Sequence, residues 1–518
     1  MDDEAIPTTE GTRFGAAALL LAASVLLSRV LGYGREVLLA YRVGAGAATD
    51  AYYAAFQIPD LLNYLLAGGA LSIAFLPLYT RHLARGDDAR AEQLFSTVLG
   101  TLGLLAAVAT AALWWWAEPL VALQFPRFDP ATQALTVHLT RIVLPAQICF
   151  IAGGIINATL LARRRFRASA AAPLLYNGGI IAGGLLLAPR TGIGVEGFAW
   201  GALAGAVLGP LLAPLLDARG RVRVRLRVAP FDRAFLAYLA VAAPLMLGQT
   251  LLTVDEWYER WFGALLGAGS VAHLAYARRL MQVPVAVVGQ AIAAAALPTL
   301  ARLFAEHRSD DLNRVVERTL QTGLVLAVFA AGGFFALAQP LVQVIYQHGR
   351  FTTEDTTRVA AILSLLALAV PAWITQQIAA RAFYARGDTW RPMVLGTAVA
   401  LAAIPLYWLL GNRFGVSGLA AAGAIGMSLN ALGTLLLARW LHGAPNLTQL
   451  TATLVRASGI AAIAAAVTRF AVLSATTGAL ASLALGAIAF AVLVATGAFT
   501  IGDDATRAAL RRILRMKN

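Results

Sequence analysis

The sequence predicts an all-α integral membrane protein with about 14 transmembrane helices. Hydrophobic residues make up 59% of the 518-residue chain and charged residues only 13%. Apolar runs of about 20 residues, long enough to cross the roughly 30 Å hydrocarbon layer of a bilayer, recur along the whole chain. Residues 322–338 and 481–502 are examples. Because these runs follow one another from end to end, we expect no attached soluble domain.

The apolar runs and the polar stretches between them set the bounds of the fourteen predicted spans. The second, fourth, eighth and tenth spans are long and contain proline. Proline interrupts the hydrogen-bond ladder of a helix, so we expect kinks or breaks in these four spans. The predicted spans cover residues 14–34, 47–80, 95–117, 132–161, 168–188, 194–217, 234–262, 269–301, 317–341, 357–385, 391–411, 415–440, 452–474 and 479–501.

Basic residues give the predicted spans an orientation. The N-terminal segment, every second loop after it and the C-terminal tail together hold 27 Arg and Lys residues, whereas the opposite loops and their margins hold nine. Cytoplasmic loops are enriched in Arg and Lys, so both termini are predicted to be cytoplasmic. This asymmetry explains the net charge of +14 without nucleic acid. The basic segment 219–227 is interpreted as a cytoplasmic loop beside anionic membrane lipids.

Short similarities within the chain indicate an internal repeat. Residues 70–81 resemble residues 291–302, and residues 194–201 resemble residues 415–422, in both cases at an offset of 221. A third short similarity has an offset of 223. Six spans separate the equivalent positions, and an even number of spans gives the two copies the same orientation in the membrane. The sequence therefore predicts a parallel repeat with a transport site between its copies.

This repeat defines the predicted domains. Each copy forms a lobe of six spans, and a basic cytoplasmic loop joins the lobes. Spans thirteen and fourteen lie outside the repeat and precede a basic cytoplasmic tail. The predicted domains are residues 1–217 for the first lobe, 218–233 for the loop, 234–441 for the second lobe and 442–518 for the last two spans and the tail.

Charged residues within the predicted spans are candidates for function. Arg29 and Asp50 fall in the first two spans, where burying a charge costs at least a few kcal/mol by insertion scales. Such groups fix helix packing by pairing, extend to the membrane interface, or face a polar cavity. Arginine suits a phosphate or pyrophosphate because its planar guanidinium donates two parallel hydrogen bonds and stays charged. The structural and the anion-binding interpretations both stay open at this point.

Long motifs in the chain resemble the MurJ (MviN) family of flippases. The stretch SRVLGYGREVLLAYRVGAGAATDAYYAAF (28–56) is similar to a family signature that reads S-R-V-L-G-x-x-R-[DE] and continues to T-D-A-F. Residues 157–179, 269–304, 344–356 and 380–392 are similar to further family segments. The resemblance covers nearly the whole chain, and fourteen spans is the number typical of that family.

The resemblance implies a fold and a function. The fold is that of the MOP exporter superfamily, with two six-helix lobes, a V-shaped central cavity and a lateral groove made with the last two helices. The implied function is the flipping of lipid II, the undecaprenyl-pyrophosphate-linked precursor of peptidoglycan, by alternating access. The lipid would move from the inner to the outer leaflet of the bacterial inner membrane, in support of cell-wall synthesis and cell shape.

The resemblance also implies the residues that face the substrate. The expected substrate-binding residues of the central cavity are Arg29, Arg35, Asp50 and Arg279, with Arg278, Asn63 and Tyr64 as further candidates. Asp50 is expected to pair with one of the arginines in one conformational state. Asn63 and Tyr64 stand where many family members have two arginines, and Gly68 stands where they have a glutamate. We therefore expect a cavity with two fewer positive charges and one fewer negative charge.

Three functions other than lipid II flipping differ in what they require of the sequence. A flippase for another polyprenyl-pyrophosphate-linked oligosaccharide, of the O-antigen or exopolysaccharide type, is compatible with the missing arginines. A MATE-like multidrug or cation antiporter would need a carboxylate-dominated cavity, whereas arginine predominates here. An enzyme would need a catalytic or metal-ligand constellation, but the six histidines are scattered and Cys149 is the single cysteine.

The sequence therefore predicts a transporter with no catalytic residue, metal or cofactor. Nothing in the residues identifies the site that couples transport to an energy source. Coupling to the membrane potential, or to a gradient of H⁺ or Na⁺, is compatible with the sequence. A charge moved across 100 mV gains about 2.3 kcal/mol, which is enough to reset an empty carrier.

The predicted topology can be tested with paired cytoplasmic and external reporter fusions. Fusions after residues 90, 225 and 310 are expected to report a cytoplasmic location, because these positions lie in the Arg-rich set of loops. Fusions near residues 128 and 352 are expected to report an external location. A cytoplasmic signal at residue 352 would contradict the fourteen-span count.

Overall fold

The computed structural model describes a helical chain that divides into two compact units, Met1–Thr253 and Val254–Asn518. Helices are the only regular elements in the part of the chain that it describes. Gly68, the counterpart of the family glutamate, lies outside the described residues, as does the segment around it. The described residues are 8–66, 74–188, 194–220, 222–252, 254–475 and 478–513.

Twelve helices form the described part of the first unit. The tenth continues through a π-helical turn at Val207–Leu212, which contains Pro210, into the eleventh. The helices are α1 Thr8–Val43, α2 Ala47–Ala55, α3 Gln57–Leu66, α4 Leu76–Ala84, α5 Asp88–Trp115, α6 Ala117–Gln124, α7 Pro130–Val143, α8 Ala146–Ala162, α9 Arg167–Leu186, α10 Glu196–Ala206, α11 Ala213–Ala218 and α12 Arg233–Leu252.

Ten helices form the described part of the second unit. A π-helical turn at Val285–Gln290 joins the second and third of them, and another at Thr468–Val472 follows the eighth. The helices are α13 Val254–Ala264, α14 Ser270–Pro284, α15 Ala291–Ala305, α16 Ser309–Tyr346, α17 Thr353–Ala367, α18 Val370–Tyr384, α19 Trp390–His442, α20 Leu447–Val467, α21 Ala479–Thr500 and α22 Asp504–Ile513.

These helices confirm the predicted fold class. Within the described residues, nine continuous helical segments are long and apolar enough to cross a membrane, and the bent pair α17–α18 makes a tenth. One of the nine, α19, contains the predicted eleventh and twelfth spans. Its backbone breaks at Gly415, whose φ of 60° favours glycine because side chains clash in the left-handed region. The remaining predicted spans, the first, second and seventh, coincide with α1, with α2–α4 and with α12–α13.

Proline marks the breaks in the long predicted spans. Helix α8 begins directly after Pro145, and α18 carries Pro371 in its first turn. The π-helical turn after α14 begins directly after Pro284. A proline lacks the N–H that would continue the hydrogen-bond ladder, so the chain restarts or loosens its helix at these points. By contrast, Pro298 lies inside α15 without interrupting it.

Helix α12 packs on the first unit. It contacts α3 and α5, and its fully buried Tyr238 shares a hydrophobic core with Phe95 of α5 and Phe75 before α4. The predicted second lobe begins at residue 234, so it includes this helix. The division into six-span lobes stays a prediction about the repeat, and the structure adds that α12 buries its apolar face against the helices of the first copy.

Glycines bring α9 and α10 into backbone contact. A Cβ added to Gly179 would lie 2.5 Å from the Cα of Gly205, and one added to Gly183 would lie 2.6 Å from the Cα of Gly201. The glycines are spaced four residues apart on each helix, the small-xxx-small pattern that allows membrane helices to approach closely. This contact fixes α9, which carries part of the candidate site described below.

Filling this contact with a methyl group should destabilise the first unit. Gly179→Ala is expected to cost about 1–3 kcal/mol, the usual effect of overpacking, and to lower the unfolding temperature of the purified protein in detergent. Gly178→Ala is the matched control on the same helix, because a Cβ at Gly178 meets no atom within 4 Å. Equal unfolding temperatures for the two variants would contradict the proposed close packing.

Candidate functional site

Arg35 lies at the centre of a polar cluster within the first unit. Its Nη2 donates to Oε1 of Glu36 at 2.6 Å, and its Nη1 donates to Oδ1 of Asn177 at 3.4 Å. The hydroxyl of Tyr53 donates to Oε2 of Glu36 at 2.6 Å. Both carboxylate oxygens of Glu36 are therefore hydrogen-bonded, as a buried charge in a helical membrane unit requires.

This cluster keeps the guanidinium charged and partly accessible. The side chain of Glu36 is 2% exposed, whereas that of Arg35 is 18% exposed. The carboxylate compensates the buried positive charge, so the guanidinium can stay inside the span without a bound anion. An arriving phosphate would find a fork of N–H donors already fixed in place by Glu36 and Asn177.

Asn177, on α9, links the cluster to α1. Its Nδ2 donates to the hydroxyl of Ser28 on α1 at 3.2 Å and to the carbonyl of Pro173 on α9 at 3.1 Å. The same helix pair is joined a turn and more away, where the hydroxyl of Ser24 donates to the carbonyl of Ala170. The amide therefore holds the arginine-bearing part of α1 against α9.

The other two predicted residues of the first unit differ from each other in exposure. Arg29 lies on α1 one and a half turns before Arg35 and is exposed. Asp50 is fully buried in the first turn of α2, where the N-terminal end of the helix favours a negative charge. On α1, Arg35 forms an ion pair with Glu36. From the sequence, we expect Asp50 to pair with an arginine in one conformational state. That expectation stays a prediction.

Asn63 and Tyr64 lie together at a small polar pocket in the first unit. The pocket has a volume of about 200 Å³. The Nδ2 of Asn63 donates to Oε1 of Gln147 on α8 at 3.0 Å. The pocket is lined by Phe56, Asp60, Asn63, Tyr64, Val143, Gln147, Phe150 and Tyr176.

In the second unit, Arg278 is held by a buried carboxylate. Its Nε donates to Oε2 of Glu259 on α13 at 2.7 Å, and its Nη2 bonds the other oxygen, so the pair is bidentate. The guanidinium also lies over the ring of Trp373 on α18, with its carbon 5.8 Å from the ring centroid. Arg279, the next residue, is less deeply buried. The geometry gives Arg278 a clear role in packing α13, α14 and α18 together.

A long apolar groove runs along the second unit. Its volume is about 990 Å³, and helices α16, α18, α19 and α20 line it. The lining residues of α20 and its following turn extend from Leu447 to Phe470. At a rise of 1.5 Å per residue this is about 35 Å, enough to cross the hydrocarbon layer. Arg469, near one end, is the only charged residue among those that line it.

Sequence reasoning placed the arginines in spans but missed their partners. Glu36 follows Arg35 directly in the family-like signature, and this adjacency was a usable signal. Asn177 and Gln147 gave no such signal, because each lies far along the chain from the residue that it contacts. Glu259 is a carboxylate within the seventh predicted span, 19 residues before Arg278, so its charge was a usable signal although its partner was not assigned.

Hydrogen-bonded charges buried in spans and a membrane-long apolar groove define the class: the chain is a polytopic membrane transporter. A family model described as "Lipid II flippase MurJ" matches residues 39–489. The chain therefore belongs to the lipid II flippase MurJ family. Members of this family are transporters, which confirms the predicted class of protein over an enzyme.

Curated relatives agree with this membership. The chain is 29% identical over 442 residues to a probable lipid II flippase MurJ of Rhizobium tropici, covering 80% of this chain and 79% of the relative. It is 28% identical over 447 residues to the probable lipid II flippase MurJ of Vibrio cholerae, covering 84% of both. It is 29% identical over 428 residues to the lipid II flippase MurJ of Burkholderia cenocepacia, covering 80% of this chain and 82% of the relative.

Solved structures show the same fold. A lipid II flippase MurJ in an inward closed conformation superposes with a TM-score of 0.78 at 21% identity, over 93% of this chain and 99% of the other. An inward-facing multidrug resistance MATE transporter of the MOP superfamily superposes with a TM-score of 0.68 at 14% identity, over 84% and 98%. These likenesses show that the chain has the same fold as these two transporters.

Proposed function

We propose that this chain is a lipid II flippase of the bacterial inner membrane. The membership of residues 39–489 in the MurJ family is the observation that carries the proposal. The substrate is then a polyprenyl pyrophosphate that bears a muropeptide, moved from the inner to the outer leaflet by alternating access. Both termini lie in the cytoplasm in this proposal, in keeping with the arginine distribution between alternate loops.

The head group of such a lipid needs cationic hydrogen-bond donors inside the membrane. The Arg35 cluster supports this role, because its guanidinium is fixed by Glu36 and Asn177 and keeps an exposed edge. Arg29 and Asp50 of the first unit, and Arg279 of the second, are the further charges that we propose to act on the substrate. A pyrophosphate that approaches Arg35 would compete with Glu36 for the same N–H donors. Glu36 would take these donors back when the pyrophosphate leaves, so the free energy of exchanging one partner for the other would be small.

The tail of such a lipid needs a hydrocarbon path that is continuous from leaflet to leaflet. The apolar groove of the second unit supports this role, because its lining is apolar over about the thickness of the bilayer. The sequence predicts that both of the last two spans line such a groove. Of these two spans, α20 contributes lining residues, whereas none of the described lining residues belongs to α21. Phe490 of α21 packs against Gly332 and Gly333 of α16.

A second candidate is a flippase for a different polyprenyl-pyrophosphate-linked oligosaccharide. The observation that favours it is the pocket at Asn63 and Tyr64, where hydrogen-bonding neutral side chains replace the arginine pair of many family members. The likeness to MATE transporters concerns the fold, and it gives no comparable support to a cation antiporter. Coupling to the membrane potential or to H⁺ or Na⁺ stays an open part of the proposal.

Removing the proposed substrate-facing charges should abolish flipping. Arg29→Ala, Asp50→Ala and Arg279→Ala are each expected to eliminate growth when they replace the resident flippase of a depletion strain. Arg29→Ala and Arg279→Ala each remove a charge-assisted contact to the pyrophosphate that is typically worth about 1.5–3 kcal/mol. Asp50→Ala removes the carboxylate that is expected to pair with an arginine in one conformational state. Arg29→Lys should fail or nearly fail, because lysine keeps the charge and loses the planar fork. Lipid II at the outer face and the amount of inserted protein are measured together.

Arg358→Ala provides the control for this series. Arg358 is exposed and forms an ion pair with Glu354 one turn earlier on α17, so its loss should leave growth unchanged. Normal lipid II at the outer face in all three alanine variants would mean that these charges only hold helices together.

Narrowing the groove should block the lipid tail. Ala462→Trp places a large ring in the groove, since Ala462 is one of its lining residues. We expect a loss of lipid II at the outer face and weaker photo-crosslinking of a polyprenyl probe to α20. Ile463→Trp is the matched control, because Ile463 is 61% exposed and lies outside the lining. Equal crosslinking and flipping in both variants would argue against a tail site here.

A further inference from the structure

The polar pocket at Asn63 has the composition of a site for a neutral polar ring. Among the residues that line it are one carboxylate, Asp60, and no arginine or lysine. A phosphate is disfavoured in such a pocket, because the carboxylate would repel it and the described lining residues include no arginine or lysine to receive it. A hard cation is disfavoured because it prefers several anionic or carbonyl oxygens arranged around it.

The two amides in the pocket present complementary groups. Asn63 donates through Nδ2 to Oε1 of Gln147 at 3.0 Å. In this arrangement, Asn63 Oδ1 is an acceptor and Gln147 Nε2 is a donor. An acetamido group carries one N–H and one C=O, so it can bond both amides at once. A hydroxyl also donates and accepts, but both of its bonds meet at one oxygen, whereas the acetamido N–H and C=O are separate groups that can each face one amide.

Aromatic rings supply the apolar part of the pocket. Phe150 and Tyr176 meet edge to face with their centroids 5.1 Å apart, and Phe56 and Tyr64 also line the pocket. A pyranose ring has an apolar C–H face and an edge of hydroxyls, so it matches aromatic rings on one side and Asp60 with the amides on another. The volume of about 200 Å³ is comparable to that of one sugar ring.

The pocket adjoins the Arg35 cluster through two consecutive residues of α9. Tyr176 lines the pocket, and Asn177 accepts from Arg35. Consecutive residues of a helix point about 100° apart, so α9 carries both sites on neighbouring faces. Helix α9 therefore places the two sites next to each other, as a pyrophosphate and the sugar bonded to it would require.

We propose that this pocket binds the first sugar ring of the lipid-linked substrate, the ring bonded to the pyrophosphate, and selects one that bears an acetamido group. Asp60 accepts hydrogen bonds from ring hydroxyls, and Asn63 and Gln147 bond the acetamido group. This inference rests on the proposed flippase function. In this chain, the positions of the family's arginine pair thus serve the sugar, and pyrophosphate recognition falls to the arginines outside the pocket.

Binding of three defined lipids to the purified full-length protein in detergent tests the inference. The probes are a bare polyprenyl pyrophosphate, the same lipid with glucose, and the same lipid with N-acetylglucosamine. The wild type is expected to bind the acetamido lipid roughly tenfold more tightly than the glucosyl lipid, as two modest hydrogen bonds allow. Asn63→Ala should reduce this ratio below about twofold and leave the affinity for the bare lipid unchanged.

Three further variants separate recognition from folding. Asp60→Asn keeps the shape of the side chain and should weaken both sugar lipids relative to the bare lipid. Gln133→Ala is the matched amide control, because Gln133 lies on α7 outside the pocket and donates to the carbonyl of Phe125; it should behave as wild type. Arg35→Ala should weaken all three lipids by a similar factor.

The possible results distinguish this inference from the function on which it rests. If the wild type binds the acetamido and glucosyl lipids equally well, the proposed sugar selectivity of the pocket at Asn63 is wrong, and the flippase proposal still stands. Equal weakening of all three lipids by Asn63→Ala also overturns the proposed sugar selectivity. A wild type that binds none of the three lipids overturns the proposed function and the inference together.

Discussion

The cost of placing charge in hydrocarbon is the constraint on which the rest of this structure depends. Arg35 stays within its span because Glu36 compensates it and Asn177 and Tyr53 complete the hydrogen bonds. The Arg278–Glu259 pair obeys the same rule in the second unit. Each cluster fixes helices that are distant in sequence, so satisfying these charges also sets the arrangement of the helices around them.

Much of the fold follows from local sequence. Apolar length places the spans, Pro145, Pro284 and Pro371 mark breaks, and Gly415 divides a helix that covers two spans. These features act over a few residues, so they can be read without tertiary structure. The missing role of α21 in the lining of the groove could not be read in this way. It depends on tertiary packing, in which Phe490 of α21 contacts α16 and residues of α20 line the groove.

The candidate site could be predicted only in part, because it too depends on tertiary contacts. Residue type and the family-like signature identify Arg35, Asn63 and Tyr64 as residues of interest. The pocket itself is assembled from α3, α8 and α9, and Gln147 and Tyr176 acquire meaning only when those helices meet. In the sequence, Asn63 and Tyr64 register only as the loss of two arginines. In the structure, both residues line a pocket in which Asn63 is hydrogen-bonded to Gln147.

The glycine contact between α9 and α10 has a mechanical consequence. Backbones that touch without intervening side chains cannot slide past each other by rotamer changes, since no flexible groups lie between them. The two helices should therefore move as one rigid body during a transport cycle. Tyr176 and Asn177 both lie on α9, so the parts of the pocket and of the Arg35 cluster that they form would move together during transport.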